Sequence, residues 1–145
     1  MAQLIPTSEA VKTIEIVEFT VGNKTLGVMI DAVQEIIHYS PVTPIPLAHP
    51  FIKGLVAVRG DVLSVLNLEV ILNESSTFNS KQEKMIVLQC LNHKLVIHVD
   101  QVTEIKILNK TDLNKSQSPY MNYEIETNTG PLYILDVEDI LTEIR

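Results

Sequence analysis

From Ile14 onward the chain is a succession of short apolar runs separated by turn residues, with the period of two that half-buried strands show and little of the three-to-four spacing of long helices. The clearest unit lies in Pro50 to Leu72, PFIKGLVAVRGDVLSVLNLEVIL. Two runs rich in β-branched residues, Leu55 to Val58 and Val62 to Leu66, flank Arg59-Gly60-Asp61. A Gly-Asp step between such runs is a turn signal, so the pattern predicts a β-hairpin with Arg59 at its shoulder. Upstream, Ile16, Phe19 and Val21 lead into Gly22-Asn23-Lys24. Leu26, Val28 and Ile30 then alternate with Gly27 and Met29, which reads as strand, tight turn, strand. Residues 31–37 fit either a further strand or a single helical turn. Prolines at 41, 44, 46 and 50 make residues 40–51 an extended connector or a sheet edge, because proline lacks the N–H that a sheet ladder needs. Val42, Ile45 and Leu47 in this connector are expected to be buried. Residues 66–72 close the unit, and the polar, Ser-rich stretch from Asn73 to Gln82 reads as a linker.

A self-comparison at an offset of 69 residues orders these pieces. Asp31 falls on Asp100, so that DAVQEI (31–36) meets DQVTEI (100–105); Leu26 falls on Leu95, Pro50 on Pro119, Phe51 on Tyr120, Leu63 on Leu132, and LEVIL (68–72) on VEDIL (137–141). One ungapped shift serves from the first hairpin to the end of the chain. The chain therefore reads as a duplication, with an N-terminal arm at 1–13, units at 14–76 and 83–145, and a linker at 77–82. About five short strands per unit predict an all-β fold of two small barrels or sandwiches. Units this small are marginal alone and are expected to pack closely, with strands exchanged between them. Where the copies differ, Gly54 meets Tyr123, Gly27 meets Val96 and Arg59 meets Asn128, so the first unit is specialised at those positions.

Composition narrows the function. A net charge of −7 and only seven aromatic residues, none of them Trp, argue against nucleic-acid binding. No apolar run approaches the roughly 18 residues of a membrane-spanning helix, and the first residues lack a signal-peptide pattern, so a soluble, cytoplasmic protein without membrane insertion is expected. The lone Cys90 fits a reducing compartment and is expected to pack as a small hydrophobe. His93 and His98 lack further ligands at metal-binding spacing and read as turn and edge residues; no metal or cofactor is implied. The acids Asp31/Glu35 recur as Asp100/Glu104, which favours a structural role for the aspartates, such as accepting backbone N–H bonds at a turn. No set of residues assembles an active site. The specialised features are apolar residues, glycine and one Arg, the ingredients of a protein-binding surface.

These residues carry a family resemblance. VEFTVGNKTLGVMIDAVQEI (17–36), the Pro-rich connector and FIKGLVAVRGDVLSVLNL (51–68) resemble the CheW-type coupling proteins of bacterial chemotaxis, as do HVDQVTEI (98–105) and YILDVEDIL (133–141) of the second unit. The resemblance implies two intertwined five-stranded SH3/OB-like barrels. It also implies a non-enzymatic adaptor that links the cytoplasmic tip of a chemoreceptor to the regulatory domain of the histidine kinase CheA, within receptor arrays at the inner face of the membrane. By the same resemblance Val33, Glu35, Gly54 and Arg59 match receptor-binding positions, and Val42 and Ile45 are candidates for the kinase contact. The sequence departs from the family after the hairpin. Where P-V-x-D-L-R is usual it has Ser64-Val65-Leu66-Asn67-Leu68-Glu69; Val96 replaces a common Gly, and the chain is expected to stop without the C-terminal helix of some members. A module of a pilus-motility array, or a regulatory domain of a longer kinase chain, is the alternative reading.

Overall fold

The computed structural model describes residues 12–75 and 82–144. The expected N-terminal arm and the linker lie outside the described residues, except at Lys12, Thr13 and Gln82. The strands are β1 (Thr13–Val21), β2 (Lys24–Met29), β3 (Val33–His38), β4 (Ile52–Val58), β5 (Asp61–Leu66), β6 (Lys84–Cys90), β7 (His93–Val99), β8 (Gln101–Asn109), β9 (Asn114–Lys115), β10 (Met121–Thr127) and β11 (Gly130–Leu135). Two short helices, α1 (Leu68–Leu72) and α2 (Val137–Ile144), follow β5 and β11. A 3-10 turn at Ile30–Ala32 precedes β3, so residues 31–37 combine a helical turn with a strand.

The strands form two sheets, ordered β8-β1-β2-β11-β10-β9 and β3-β6-β7-β5-β4. Each sheet takes a hairpin from the other half of the chain: β1–β2 is inserted between β8 and β11, and β6–β7 between β3 and β5. The two insertions match residue for residue under the 69-residue shift. Val17 pairs with Ile105 as Ile86 pairs with Ile36, and the parallel pair Leu26–Tyr133 recurs as Leu95–Ser64. Even the register shifts recur: one at Gln34 and Thr103, the other at Lys53 and Asn122. A bulge repeated at the same place in both copies belongs to the fold and not to local accident.

The exchange explains the uninterrupted buried run of Ile16, Val17, Glu18 and Phe19 in β1. Its successive residues serve opposite faces, and both faces are covered. Val17 and Phe19 join a central core made by both sheets and both helices, with Leu66, Leu68, Ile86, Leu88, Ile97 and Ile140 among its members. Ile16 points the other way, into a smaller cluster with Leu108, Leu132 and Ile134. The corresponding cluster of the other sheet contains Met85, Leu63 and Val65, the copies of Ile16, Leu132 and Ile134. The copies diverge inside. A side chain at Gly27 would collide with Ile16, whereas Val96 occupies the equivalent place without a glycine's freedom. Glu18, buried where the copy has Val87, is satisfied by the Thr103 hydroxyl at 2.6 Å and the Lys106 ammonium at 2.8 Å.

Both unit-closing segments are helical, and the expectation of no C-terminal helix is corrected by α2. Leu68, Ile71 and Leu72 are buried at the i, i+3, i+4 positions of one helical face. The Asn67 side chain accepts from the Val70 N–H, as Asp136 accepts from the Asp139 N–H, so Asn67 preserves the cap that an aspartate supplies in the second copy. Asp100 acts as expected of the repeated aspartates, accepting from the Gly22 N–H at 2.7 Å; among the described residues Asp31 accepts no such bond.

Because each sheet needs strands from both halves, residues 12–76 and 82–145 expressed as separate fragments are expected to be unfolded alone and to recover the native β spectrum when mixed. Circular dichroism and two-dimensional NMR of the fragments and their mixture check this; a single fragment with a cooperative unfolding transition would contradict it.

Candidate partner-binding site

The hairpin β4–β5 closes on the pair Val58–Asp61, which makes Arg59 and Gly60 the two loop residues. Both have positive φ, 51° and 87°, as two-residue hairpin loops with the twist of their strands require. The turn thus lies one residue earlier than the Gly60-Asp61 step suggests, and Arg59 stands at the tip itself. From there the guanidinium crosses to β3, where Nε donates to both carboxylate oxygens of Glu35 at 3.0 and 2.9 Å. Strands β3 and β4 are the two edges of one sheet, so this contact reflects a sheet curled until its edges approach. The interior agrees, since Ile37 of β3 packs against the cluster containing Val56 and Val58 of β4.

Arg59 is 76 % exposed and Glu35 28 %. The hydrogen bond from Arg59 holds the Glu35 carboxyl below the usual carboxylate range, and the same bond raises Arg59. Lys94 lies 3.9 Å from Asp61 beside them, and the four charged residues with Gln34, Val58, Leu63 and Val87 line a depression of about 80 Å³. Among the described residues no such pair links the second copy. Asn128 replaces Arg59, and Glu104 lies 3.9 Å from Lys106.

The remaining predicted residues fall in different settings. Gly54 is buried, and a side chain there would meet the Thr43 backbone and the Val42 side chain. The absence of a Cβ lets the connector lie against β4, where Thr43 and Leu55 exchange two backbone hydrogen bonds of 2.8 Å. Val42 is half-buried on the inner cluster of this sheet, whereas Ile45, also expected to be buried, is 37 % exposed. Leu47, expected to be buried, is fully exposed at a φ of 61° in the turn at residues 46–47. Val33 is half-buried against the central core. The structure therefore joins Glu35 to Arg59 and Gly54 to Val42, and leaves Ile45 and Val33 apart from either pair. Sequence reading missed Lys94 and Asp61, whose charges become neighbours only through the β5–β7 pairing, and the exposed Ile36 on β3 with its copy Ile105 on β8, which share the 69-residue offset.

Two features lie away from this surface. A cavity of about 650 Å³ in the other sheet is lined by Val28, Met29, Leu113, Tyr123 and Ile134, with Cys90 at its wall. Burial raises the Cys90 thiol, with Glu138 and Asp136 adding to the effect, which disfavours the thiolate. His98 is neither a turn nor an edge residue. It sits on the central strand β7, 4 % exposed, where Glu83 and Lys53 supply the hydrogen bonds that burial requires.

The family model described as the CheW-like domain matches residues 15–145. The chain belongs to the CheW-like family. Among curated proteins it is 25 % identical over 142 residues to the chemotaxis protein CheW of Thermotoga maritima, covering 94 % of this chain and 93 % of that protein. It is 28 % identical over 120 residues to the chemotaxis protein CheW of Rhizobium meliloti, covering 83 % and 77 %. The crystal structure of the scaffolding protein TtCheW from Thermoanaerobacter tengcongensis superposes with a TM-score of 0.76 at 22 % identity, over 84 % of this chain and 88 % of that one. The intertwined, duplicated all-β architecture is thus the CheW-like fold.

Glu35 favours its charged form in the folded state, so the stability it lends is present above the carboxylate range and is lost as pH falls through its lowered pKa. Arg59→Ala is expected to move the Glu35 titration upward, toward the ordinary carboxylate value. Carboxyl-detected NMR titration of both proteins checks this, and an unchanged midpoint would show that the ion pair does not persist in solution.

Proposed function

We propose that this CheW-like chain is a non-catalytic adaptor of chemotaxis signalling that couples methyl-accepting chemoreceptors to the histidine kinase CheA. The observation that carries the reading is the exposed Arg59–Glu35 pair, built on a hairpin tip and an edge strand and absent from the second copy of the same fold. A cation whose Nε–H is shared between both oxygens of one carboxylate is oriented before a partner arrives, which reduces the ordering cost of binding. Receptor binding is assigned to Glu35 and Arg59 directly, with Val33 on the same strand as Glu35. Gly54 contributes by admitting the connector against β4. Val42 and Ile45, carried by that connector, are assigned to the regulatory domain of the kinase.

The reading places the protein in the cytoplasm, in receptor arrays under the membrane, without cofactor, metal or nucleic acid. No described helix is long and apolar enough to cross a membrane, which fits recruitment by receptors. Contacts of about 800 Å² per partner or less give modest single affinities, and an array multiplies them by tethering many copies.

Arg59→Glu sets two carboxylates side by side at the tip. It is expected to weaken binding of a receptor-tip fragment by about 30-fold, the size of an interface hot spot, while leaving the thermal unfolding midpoint nearly unchanged. Titration of the fragment against wild type and variant measures this; wild-type affinity in the variant would remove Arg59 from the receptor surface.

A further inference from the structure

His98 ties together the two ends of the connector. At one end, Tyr39, the residue after β3, stacks on the His98 ring with centroids 4.5 Å apart and planes 26° apart. At the other, Lys53 of β4 places its ammonium 2.9 Å from His98 Nδ1. Lys53 sits at the register shift between Ile52 and Gly54, and a bulge of this kind re-aims a side chain out of the regular alternation. The opposite ring nitrogen, Nε2, lies 2.6 Å from the buried Glu83 carboxylate. An ammonium only donates hydrogen bonds, so Nδ1 accepts from Lys53 and Nε2–H donates to Glu83. This assignment makes His98 neutral.

The second copy has none of this chemistry. The shift of 69 residues places Met29 at His98, Asn122 at Lys53, Ile14 at Glu83 and Leu108 at Tyr39. Met29, Asn122 and Ile14 line the cavity of about 650 Å³, and Leu108 packs in the core cluster with Ile16. The cluster is therefore an addition to the first connector and not a requirement of the fold.

We propose that His98 is a proton-responsive positioning residue, a clasp that holds Tyr39 and Lys53, which flank the connector of residues 40–51, together when neutral and releases Lys53 when protonated. A protonated ring carries N–H on both nitrogens. Its bond to Glu83 survives and gains charge, but Nδ1–H then faces the Lys53 ammonium at 2.9 Å, with no acceptor between two cations. Lys53 is the partner that leaves. The charged and titratable groups facing the clasp are Lys53 from β4, Glu83 ahead of β6, Asp100 after β7, Tyr39 after β3, and Glu69 of α1, which attracts Lys53. Burial, and then the Lys53 charge, hold His98 below the ordinary imidazole value, against the pull of Glu83. The neutral form is thus the native one. The stability it lends is complete above the ordinary imidazole pKa of about 6.5 and is lost as pH falls from there through the lowered value. The loosening itself needs no partner; its effect on kinase binding rests on the assignment of Val42 and Ile45 made above.

Amide hydrogen exchange at Thr43 and Leu55, which bridge the connector to β4, reads the clasp without any partner present. Between pH 7.5 and 5.5, after correction for the intrinsic rate, protection at these two amides is expected to fall several-fold, while amides of the central core hold theirs. His98→Met, which installs the residue of the second copy, is expected to make protection at these amides independent of pH over that range. Should that variant fail to fold, Lys53→Asn decides, because it removes the second cation and is expected to flatten the response while the His98 ring still titrates by NMR. Unchanged protection in the wild type at pH 5.5 would overturn the proposal, and so would an equal acid loss in a folded His98→Met or Lys53→Asn protein. These outcomes are independent of whether the chain binds a receptor or a kinase.

Discussion

Strands β2 and β5 each pair in parallel with a strand from the other half of the chain, β11 and β7, and every later feature depends on those two ladders. A parallel pair cannot be joined by a tight turn, so its partners are brought together by the rest of the fold. Here the exchange of two hairpins does that work in both directions at once. Main-chain hydrogen bonds therefore hold the halves together, and the central core, drawn from both sheets and both helices, cannot form within either half.

That constraint also builds the surface. With β6 and β7 inserted between β3 and β5, the first half's sheet becomes wide enough to curl, and its edge strands approach closely enough for Arg59 to reach Glu35. Neither residue is remarkable alone. Their pairing depends on two strands contributed by the other half of the chain, so integrity of the exchange and orientation of the arginine are linked. The connector is held by the same sheet through three devices: the Thr43–Leu55 bridge, the missing side chain at Gly54, and the Tyr39–His98–Lys53 stack. The hydrogen bonds of a strand inserted from the second half thus set the position of a loop belonging to the first.

Much of this was legible in the sequence because the duplication has kept its registers. The offset that aligns DAVQEI with DQVTEI also aligns the bulges and the parallel pairs. What escaped was local. The turn was misplaced by one residue because an arginine with positive φ is unusual, and Gly60-Asp61 offered a more ordinary signal. Five-residue helices such as LEVIL show too little periodicity to separate from strands unless Asn67 and Asp136 are recognised as caps. Leu47 is apolar and is expected inside, whereas it stands at positive φ in the turn at Pro46-Leu47 and is exposed. His98 was misread since nothing near it in sequence announces Lys53, which is 45 residues away. Gly54 was marked as special by comparison with Tyr123, but the reason, contact with its own connector, required coordinates.

We propose that one intertwined body presents separate surfaces to a receptor and to a kinase. Sedimentation of the purified chain with receptor-tip fragments displayed on vesicles and the regulatory domain of CheA tests it most directly. The account predicts that the chain pellets with the vesicles and brings the kinase domain with it, and that the kinase domain stays in the supernatant when the chain is omitted. A chain that remains in the supernatant, or that pellets while leaving the kinase domain behind, would contradict it.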